Sequence, residues 1–249
     1  MGTRNPVVSG IFYEADKEEL RRHIDEMMKK AKVERNYRIV ISPHAGYIYS
    51  GLTAAHALGS LWYSERILIL GPNHNGLGHE FSIYKEGTWS TPFGPAYVDK
   101  NLAEKLLECE FIKEDEDAHL LEHSIEVQIP ILQRMFDTFT FTPLSIYGGY
   151  TEDFLERCKA VGEYISGVND NFSMVVSSDF SHYLPRKEAE EKDSQAISFI
   201  TKPDPDGFFR LQERIDSSIC GYAAITVALV IAKKWGLRGE VIHLSLIHI

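Results

Sequence analysis

The sequence has few cysteines, no excess of basic residues and no long apolar run, and each shortage excludes a class of protein. Its three cysteines include no CxxC pair, so a disulfide framework is not expected and each should be a free thiol. The formal net charge of -10 argues against a nucleic-acid partner, because phosphate binding needs a basic surface. The longest apolar run, 223–232, is too short to span a bilayer, and no apolar signal segment is present. We therefore expect a cytoplasmic protein with neither nucleic acid nor membrane as partner.

Short apolar runs that stop abruptly at polar residues occur at 38–42, 66–71 and 172–178. Such runs are typical of strands buried on both faces, and segments of helical periodicity alternate with them. An aromatic stretch with Gly and Pro, 81–99, predicts an inserted hairpin. The predicted helices are 17–30, 51–62 with Ser50 as its cap, 101–107, 124–136, 152–166, 187–199 and 223–234. The pattern predicts a single α/β domain with a mixed, mostly parallel sheet flanked by helices.

Each of these three predicted strands is followed by a histidine, namely His44, His74 and His182. One histidine after one strand is more often a packed loop residue, but three should meet at one edge of a sheet, where α/β folds bind ligands. Imidazole is the commonest metal ligand, and Asp179 is close enough to His182 to fix its tautomer. Cys220 lies in a turn at a helix start, a position that can lower a thiol pKa. A His/His/Cys set with one open position suits zinc, copper or iron, among which the sequence does not choose.

The segment HLLEH, His119 to His123, offers a remote alternative, because it fits the H-x-x-E-H pattern of inverted zinc metallopeptidases with Glu122 as base. That motif needs a long helix, whereas the acidic run before it predicts a loop, and Pro130 interrupts the helix that follows. His123 and Glu126 are one turn apart. They could instead point together into the pocket as acid-base groups, or simply form an exposed contact.

Seven segments, taken in order, resemble the Memo family, protein B of the AmmeMemoRadiSam system: RNPVVSGIFY, SPHAGYIYSG, LGPNHNG, TPFGPAYVD, EHSIEVQIPILQ, SSDFSHY and ICG. They extend from residue 4 to about residue 243. The resemblance implies a fold similar to class III extradiol (LigB-like) dioxygenases. The site residues that it implies are the metal ligands His44, His74 and Cys220 and the pocket residues Asp179, His182, His123 and Glu126.

These observations favour a metal-dependent redox or oxygenase-like protein that holds one transition metal ion, iron, copper or zinc. Extradiol dioxygenases hold iron with a carboxylate, and a cysteine in its place softens the site, so ring cleavage is not expected. The alternative is a non-catalytic binding module for a small-molecule or peptide ligand, or for the Amme-type and radical-SAM partners that the family name implies. Eukaryotic members are linked with phosphotyrosine peptides, but this chain shows no Arg-rich site for a phosphate.

The chain departs from the family pattern at two places. Asn75 stands where family members often have a second histidine after the first. The ending, VIHLSLIHI, lacks the segment into which family members continue past the strand expected here. Residues 1–243 are therefore expected to form one Memo-like domain that is cut short. Residues 244–249 read like the translation of a sequencing adapter and are expected to be a non-native tail.

Overall fold

A nine-stranded sheet forms the centre of the computed structural model, which describes residues 2–31 and 37–246. Its strands are β1 (Thr3–Arg4), β2 (Ile39–Ser42), β3 (Arg66–Pro72), β4 (Phe81–Ile83), β5 (Thr88–Thr91), β6 (Gly94–Val98), β7 (Lys113–Glu114), β8 (Thr140–Ile146) and β9 (Ser173–Ser177). The helices are α1 (Lys17–Lys30), α2 (Tyr47–Gly59), α3 (Lys100–Leu106), α4 (Asp117–Leu120), α5 (Gln128–Met135), α6 (Glu152–Gly167), α7 (Arg186–Thr201), α8 (Pro205–Arg214) and α9 (Tyr222–Lys234).

The sheet is mixed and mostly parallel, as the sequence predicts. The strands follow the order β1-β5-β6-β8-β3-β9-β2, with β4 and β7 off this path. β8, β3, β9 and β2 are parallel to one another, whereas β5 and β6 form an antiparallel hairpin and β4 is antiparallel to β8. The hairpin predicted within 81–99 is therefore confirmed, and the whole described chain forms one α/β domain.

The central strand β3 shows why the apolar runs are continuous. Leu68 and Leu70 pack into a core shared with α3, α6, α8 and α9, while Ile67 and Ile69 pack into a second core shared with α1, α2 and α5. All four side chains are fully buried. Successive strand residues point to opposite faces, so a strand covered by helices on both faces must be apolar at every position.

The helix starts are predicted with mixed success. α1 matches its predicted bounds, and the Asp16 carboxylate caps it by accepting the backbone N–H groups of Glu18 and Glu19. The prediction that Ser50 caps the second helix is wrong, because α2 already begins at Tyr47 after the cap residue Gly46. The Ser50 hydroxyl instead donates to the Ala45 carbonyl.

Strand β8 and helix α8 are not predicted from the sequence, and the predicted start of α5 is too early. Pro143 lies within β8, and a proline argues against a central strand because it has no N–H for the ladder. Residues 124–127 form turns before α5, not its first turn. Residues 239–246 form neither strand nor helix, so the strand expected at the ending is not observed. Among the described residues, no helix combines the length and apolar character needed to cross a membrane.

Candidate metal centre

The carboxyl ends of three neighbouring parallel strands form the site. β3, β9 and β2 are adjacent, and the loops after these strands bring His74, Asp179 and His44 together. The ring centroids of His44 and His74 are 5.3 Å apart. An oxygen of Asp179, Oδ2, lies 3.9 Å from His44 Nε2. The sequence predicts this meeting of loops at one edge of the sheet.

A third histidine, His123, joins the other two from the turn ahead of α5. Its ring stacks on His74 with centroids 4.8 Å apart and lies 5.5 Å from the His44 ring. One nitrogen from each of these three imidazoles lies within 4.8 Å of the other two, so the group can hold a metal ion. The sequence predicts His123 as an acid-base residue and not as a ligand, because a pattern does not show where an irregular turn directs its side chains.

His44 is buried and neutral. Burial lowers its pKa to about 4, because a charged imidazole loses its hydration inside the protein. Its Nδ1 contacts the Ser177 hydroxyl at 2.8 Å, while its Nε2 lies 3.3 Å from the Cys220 sulfur. A neutral ring keeps one nitrogen lone pair, which is what a metal ligand requires.

Glu122 orients His74 and lies beside His123. One of its oxygens, Oε1, lies 2.9 Å from His74 Nδ1 and 3.3 Å from His123 Nδ1. Burial alone would raise the pKa of Glu122, but hydrogen bonds from His74 and from the backbone N–H of Ser124 hold it at about 2. An ionised carboxylate can only accept, so His74 Nδ1 donates to it and His74 Nε2 keeps the lone pair. From the sequence, Glu122 is predicted only as a peptidase base, and this orienting role is missed. Its position directly before His123 is a usable signal.

A tight turn presents His74. The Asn73 carboxamide oxygen accepts the backbone N–H groups of Asn75 and Gly76, and Gly76 has a φ of +66° that favours glycine. The Asn75 side chain donates to the Leu121 carbonyl at 2.9 Å. Asn75 therefore ties the turn that carries His74 to the segment that carries Glu122, a structural use for the residue that departs from the family pattern.

Cys220 adjoins His44 just before α9 begins. Its sulfur accepts the backbone N–H of Asp179 at 3.3 Å. Burial raises the pKa of Cys220 to about 12, because desolvation outweighs the hydrogen bonds from Asp179, Ser178 and Gly221. The expectation that the helix start lowers this pKa is therefore wrong. Its service as a metal ligand stays a prediction.

Asp179 and His182 form an ion pair beside the histidine cluster. His182 Nδ1 donates to the Ser218 carbonyl at 2.9 Å, and its Nε2 lies 3.7 Å from Asp179 Oδ2. The Asp179 carboxylate raises the pKa of His182. Burial opposes ionisation of Asp179, but His182 and His44 hold its pKa at about 2. The pair can store and move a proton near the cluster, and its catalytic role stays a prediction.

Glu126 is bound to the N-terminal segment. Its carboxylate pairs with Arg4 Nη1 at 2.7 Å, both side chains being almost fully buried. It also accepts the backbone N–H groups of Val7 and Val8 and the hydroxyl of Tyr13. These contacts indicate an anchoring role. The predicted catalytic role of Glu126 stays a prediction, and these contacts do not support it.

The two histidines of the H-x-x-E-H pattern belong to different surroundings. His119 is buried against Tyr84 and Trp89, and its Nε2 lies 3.0 Å from the Ser82 carbonyl. α4 ends at Leu120, so no long helix carries the motif. The arrangement does not support the metallopeptidase alternative.

A cavity of about 440 Å³ adjoins the site. Asp179 and His182 are among its lining residues, and its walls are largely apolar, including Ile41, Ile225 and Leu229. A volume of several hundred Å³ with an apolar wall and a few polar groups is typical of a small-molecule pocket.

Comparison with known proteins gives the family. Residues 4–247 match the family profile described as Memo-like protein. The chain belongs to the Memo-like family. It is 39% identical over 259 residues to a MEMO1 family protein of Sulfolobus acidocaldarius, covering 96% of this chain and 91% of that protein. It is 36% identical to a MEMO1 family protein of Aquifex aeolicus, over 98% of this chain and 92% of that relative. It is 39% identical to a MEMO1 family protein of Thermoplasma acidophilum, over 94% of this chain and 88% of that relative.

Proposed function

We propose that this Memo-like protein binds one transition metal ion at His44, His74 and His123 and serves metal-dependent redox or oxygenase-like chemistry. The observation that carries the proposal is the approach of three ring nitrogens to within 4.8 Å of one another. The Glu122 carboxylate accepts a hydrogen bond from Nδ1 of His74, so the Nε2 lone pair of that ring remains for the ion. The Cys220 sulfur, 3.3 Å from His44 Nε2, is placed to be a fourth ligand.

Imidazole and thiolate suit zinc, copper or iron. Such an ion supplies Lewis acidity or a change of redox state. The pair of Asp179 and His182 would hold a proton at Nε2 of His182 and exchange it with a ligand in the adjoining cavity. A reduced Cys220 fits a reducing compartment, so the proposal places the protein in the cytoplasm.

Metal analysis of the purified protein tests the proposal. Elemental analysis should give close to one transition metal ion per wild-type chain. His44→Ala, His74→Ala and His123→Ala should each lose most of it, and Cys220→Ser should show whether the thiol contributes. His79→Ala is the matched control, since His79 is an exposed histidine in the loop after His74 and should leave the metal content unchanged.

A wild-type protein that never holds a metal, or three histidine variants that keep their full content, would contradict the metal proposal. Metal bound without redox or oxygenase turnover of phenolic compounds would favour binding over catalysis.

A second candidate function is the binding of a peptide or a protein partner at the mouth of the site. Six exposed apolar side chains lie, along the sequence, within four residues of a site residue or of Phe12, whose ring contacts His123. This apolar rim consists of Ile11, Ile48, Leu77, Leu120, Leu121 and Tyr183. Exposed apolar groups clustered around a pocket are typical of protein contact surfaces. The Amme-type and radical-SAM proteins implied by the resemblance are the partners to test.

Calorimetric titration with a purified Amme-type protein would test this candidate. Ile48→Ser and Leu121→Ser should weaken binding, whereas Tyr97→Ser, an exposed tyrosine on β6, should not. Equal binding by all three variants, or none by the wild type, would argue against the rim as its docking surface.

A further inference from the structure

Gln128, the first residue of α5, has an unusual position for a buried amide. Its Nε2 lies 2.9 Å from the Pro43 carbonyl and 2.9 Å from the Ser177 hydroxyl. Its Oε1 is buried without a hydrogen-bond partner. A buried amide oxygen without a partner destabilises a fold, so a purely structural role would favour an apolar residue here.

The Pro43 carbonyl fixes the direction of this amide. A carbonyl oxygen only accepts, so the Gln128 atom facing it must be the NH2 group. The same NH2 group faces Ser177, and Ser177 Oγ therefore accepts a hydrogen bond from Gln128.

The Ser177 hydroxyl has one proton, and the Ser124 carbonyl takes it. The Oγ to carbonyl distance is 2.6 Å, and Ser124 is fully buried. The Ser177 hydroxyl donates its only proton to the Ser124 carbonyl, so it cannot also donate to His44. In the contact between Ser177 Oγ and His44 Nδ1, at 2.8 Å, the Nδ1–H group must therefore be the donor. The opposite arrangement would leave the Ser124 carbonyl without this donor.

We infer that Gln128, acting through Ser177, holds the His44 imidazole in its Nδ1–H form, so that Nε2 keeps a lone pair directed at the site. Gln128 and Ser177 are positioning residues that touch neither substrate nor metal. The Nε2–H tautomer of His44 would lose the buried hydrogen bond to Ser177, and this loss disfavours that tautomer by roughly ten- to a hundredfold. The tautomer of His44 is a property of the protein alone. The inference rests on the proposed function only in naming a metal ion as what the free Nε2 binds.

Nitrogen-15 NMR of the metal-stripped full chain tests the tautomer directly. Long-range proton-nitrogen spectra should show His44 with a protonated Nδ1 and an unprotonated Nε2. In Ser177→Ala and Gln128→Met the Nε2–H form should gain several-fold in population. Gln212→Met is the matched control, because Gln212 is also buried with an unpartnered Oε1 but donates only within α8, and it should leave the His44 signals unchanged.

Zinc titration of the same proteins gives a second readout. Outer contacts of metal-bound histidines typically change affinity 10–100-fold, so Ser177→Ala and Gln128→Met should bind zinc at least about tenfold more weakly than the Gln212→Met control. A wild-type His44 that carries its proton on Nε2 overturns the inference, as do unchanged tautomer populations in both variants. If the wild type shows the Nδ1–H form but binds no metal, the inference holds and the proposed function fails.

Discussion

At the scale of single residues, the site depends on acceptors that fix which nitrogen of His44 and of His74 is free. The Glu122 carboxylate does this for His74 and lies 3.3 Å from Nδ1 of His123. Removal of its charge weakens the acceptor without changing the size of the side chain, so the function of Glu122 can be separated from its packing.

Glu122→Gln should lower zinc affinity roughly 10–100-fold, because second-layer partners of metal-bound histidines typically have effects of that size. A competition titration with a chromogenic chelator measures it. Glu86→Gln, which alters an exposed pair with Lys100, is the control. An affinity within twofold of the wild type would show that Glu122 does not orient the ligands.

The sequence reveals some of these residues and hides others for a physical reason. His44, His74 and Asp179 come within two residues of a strand end, and the carboxyl ends of parallel strands meet at one edge of the sheet. His123 and Glu122 lie in an irregular turn, where no periodicity relates sequence position to direction. Gln128 matters through two partners distant in sequence, so no local pattern marks it.

At the scale of elements, two connections hold the site segments in place. The buried pair of Arg4 and Glu126 holds the N-terminal segment, which brings the Phe12 ring within 5.0 Å of His123. At the opposite side Gly221 lets the start of α9 lie directly on the end of β9, which places Cys220 beside His44.

Glu126→Gln should destabilise the protein by about 3 kcal/mol, because it leaves the buried charge of Arg4 without its partner. Urea unfolding of the full chain measures the change. Glu152→Gln, at an exposed pair with Arg210, should have little effect. An unchanged unfolding free energy in Glu126→Gln would refute the anchoring role and restore interest in a catalytic one.

Gly221→Ala should cost about 1–3 kcal/mol of stability and weaken metal binding, because overpacking shifts the backbone. A Cβ at Gly221 would lie 2.4 Å from the Ser178 Cβ. Thermal unfolding and zinc titration give the two readouts. Gly149→Ala, where a Cβ meets nothing within 4 Å, is the comparison. A Gly221→Ala protein as stable and as metal-competent as Gly149→Ala would contradict the close packing of α9 on β9.

At the scale of the whole molecule, much of the fold follows from its hydrophobic pattern, and the strand β8 is an informative exception. Continuous apolar runs identify β2, β3 and β9, and the aromatic stretch identifies the hairpin. The sequence does not predict β8, because Pro143 argues against a central strand. In the structure Pro143 nevertheless lies in register with Ile69 of β3. Burial on both faces stabilises this strand in spite of the lost N–H, and tertiary packing of that kind cannot be read from a local window.

Stability of the metal-stripped protein should fall with acid between pH 6.5 and about 4. Burial lowers the pKa of both His44 and His119 to about 4 from the ordinary value of 6.5. Within that window the unfolded chain binds protons that the folded chain does not, so lower pH favours unfolding. Each of the two histidines should lower the free energy of unfolding by about 2 kcal/mol between pH 6.5 and 5. The raised pKa of His182 partly opposes this trend.

Urea unfolding at pH 7 and pH 5 measures the loss, and His119→Gln should remove about half of it while leaving the metal site intact. A free energy of unfolding that is the same at both pH values would contradict the neutral, buried state of these two rings.

The most direct test of the central claim is anomalous diffraction from crystals of the full chain grown with zinc and measured at the zinc edge. We predict a single strong peak enclosed by the ring nitrogens of His44, His74 and His123 and next to the Cys220 sulfur. No peak at these histidines, or a peak only at surface residues, would contradict the assignment of a metal centre to this edge of the sheet.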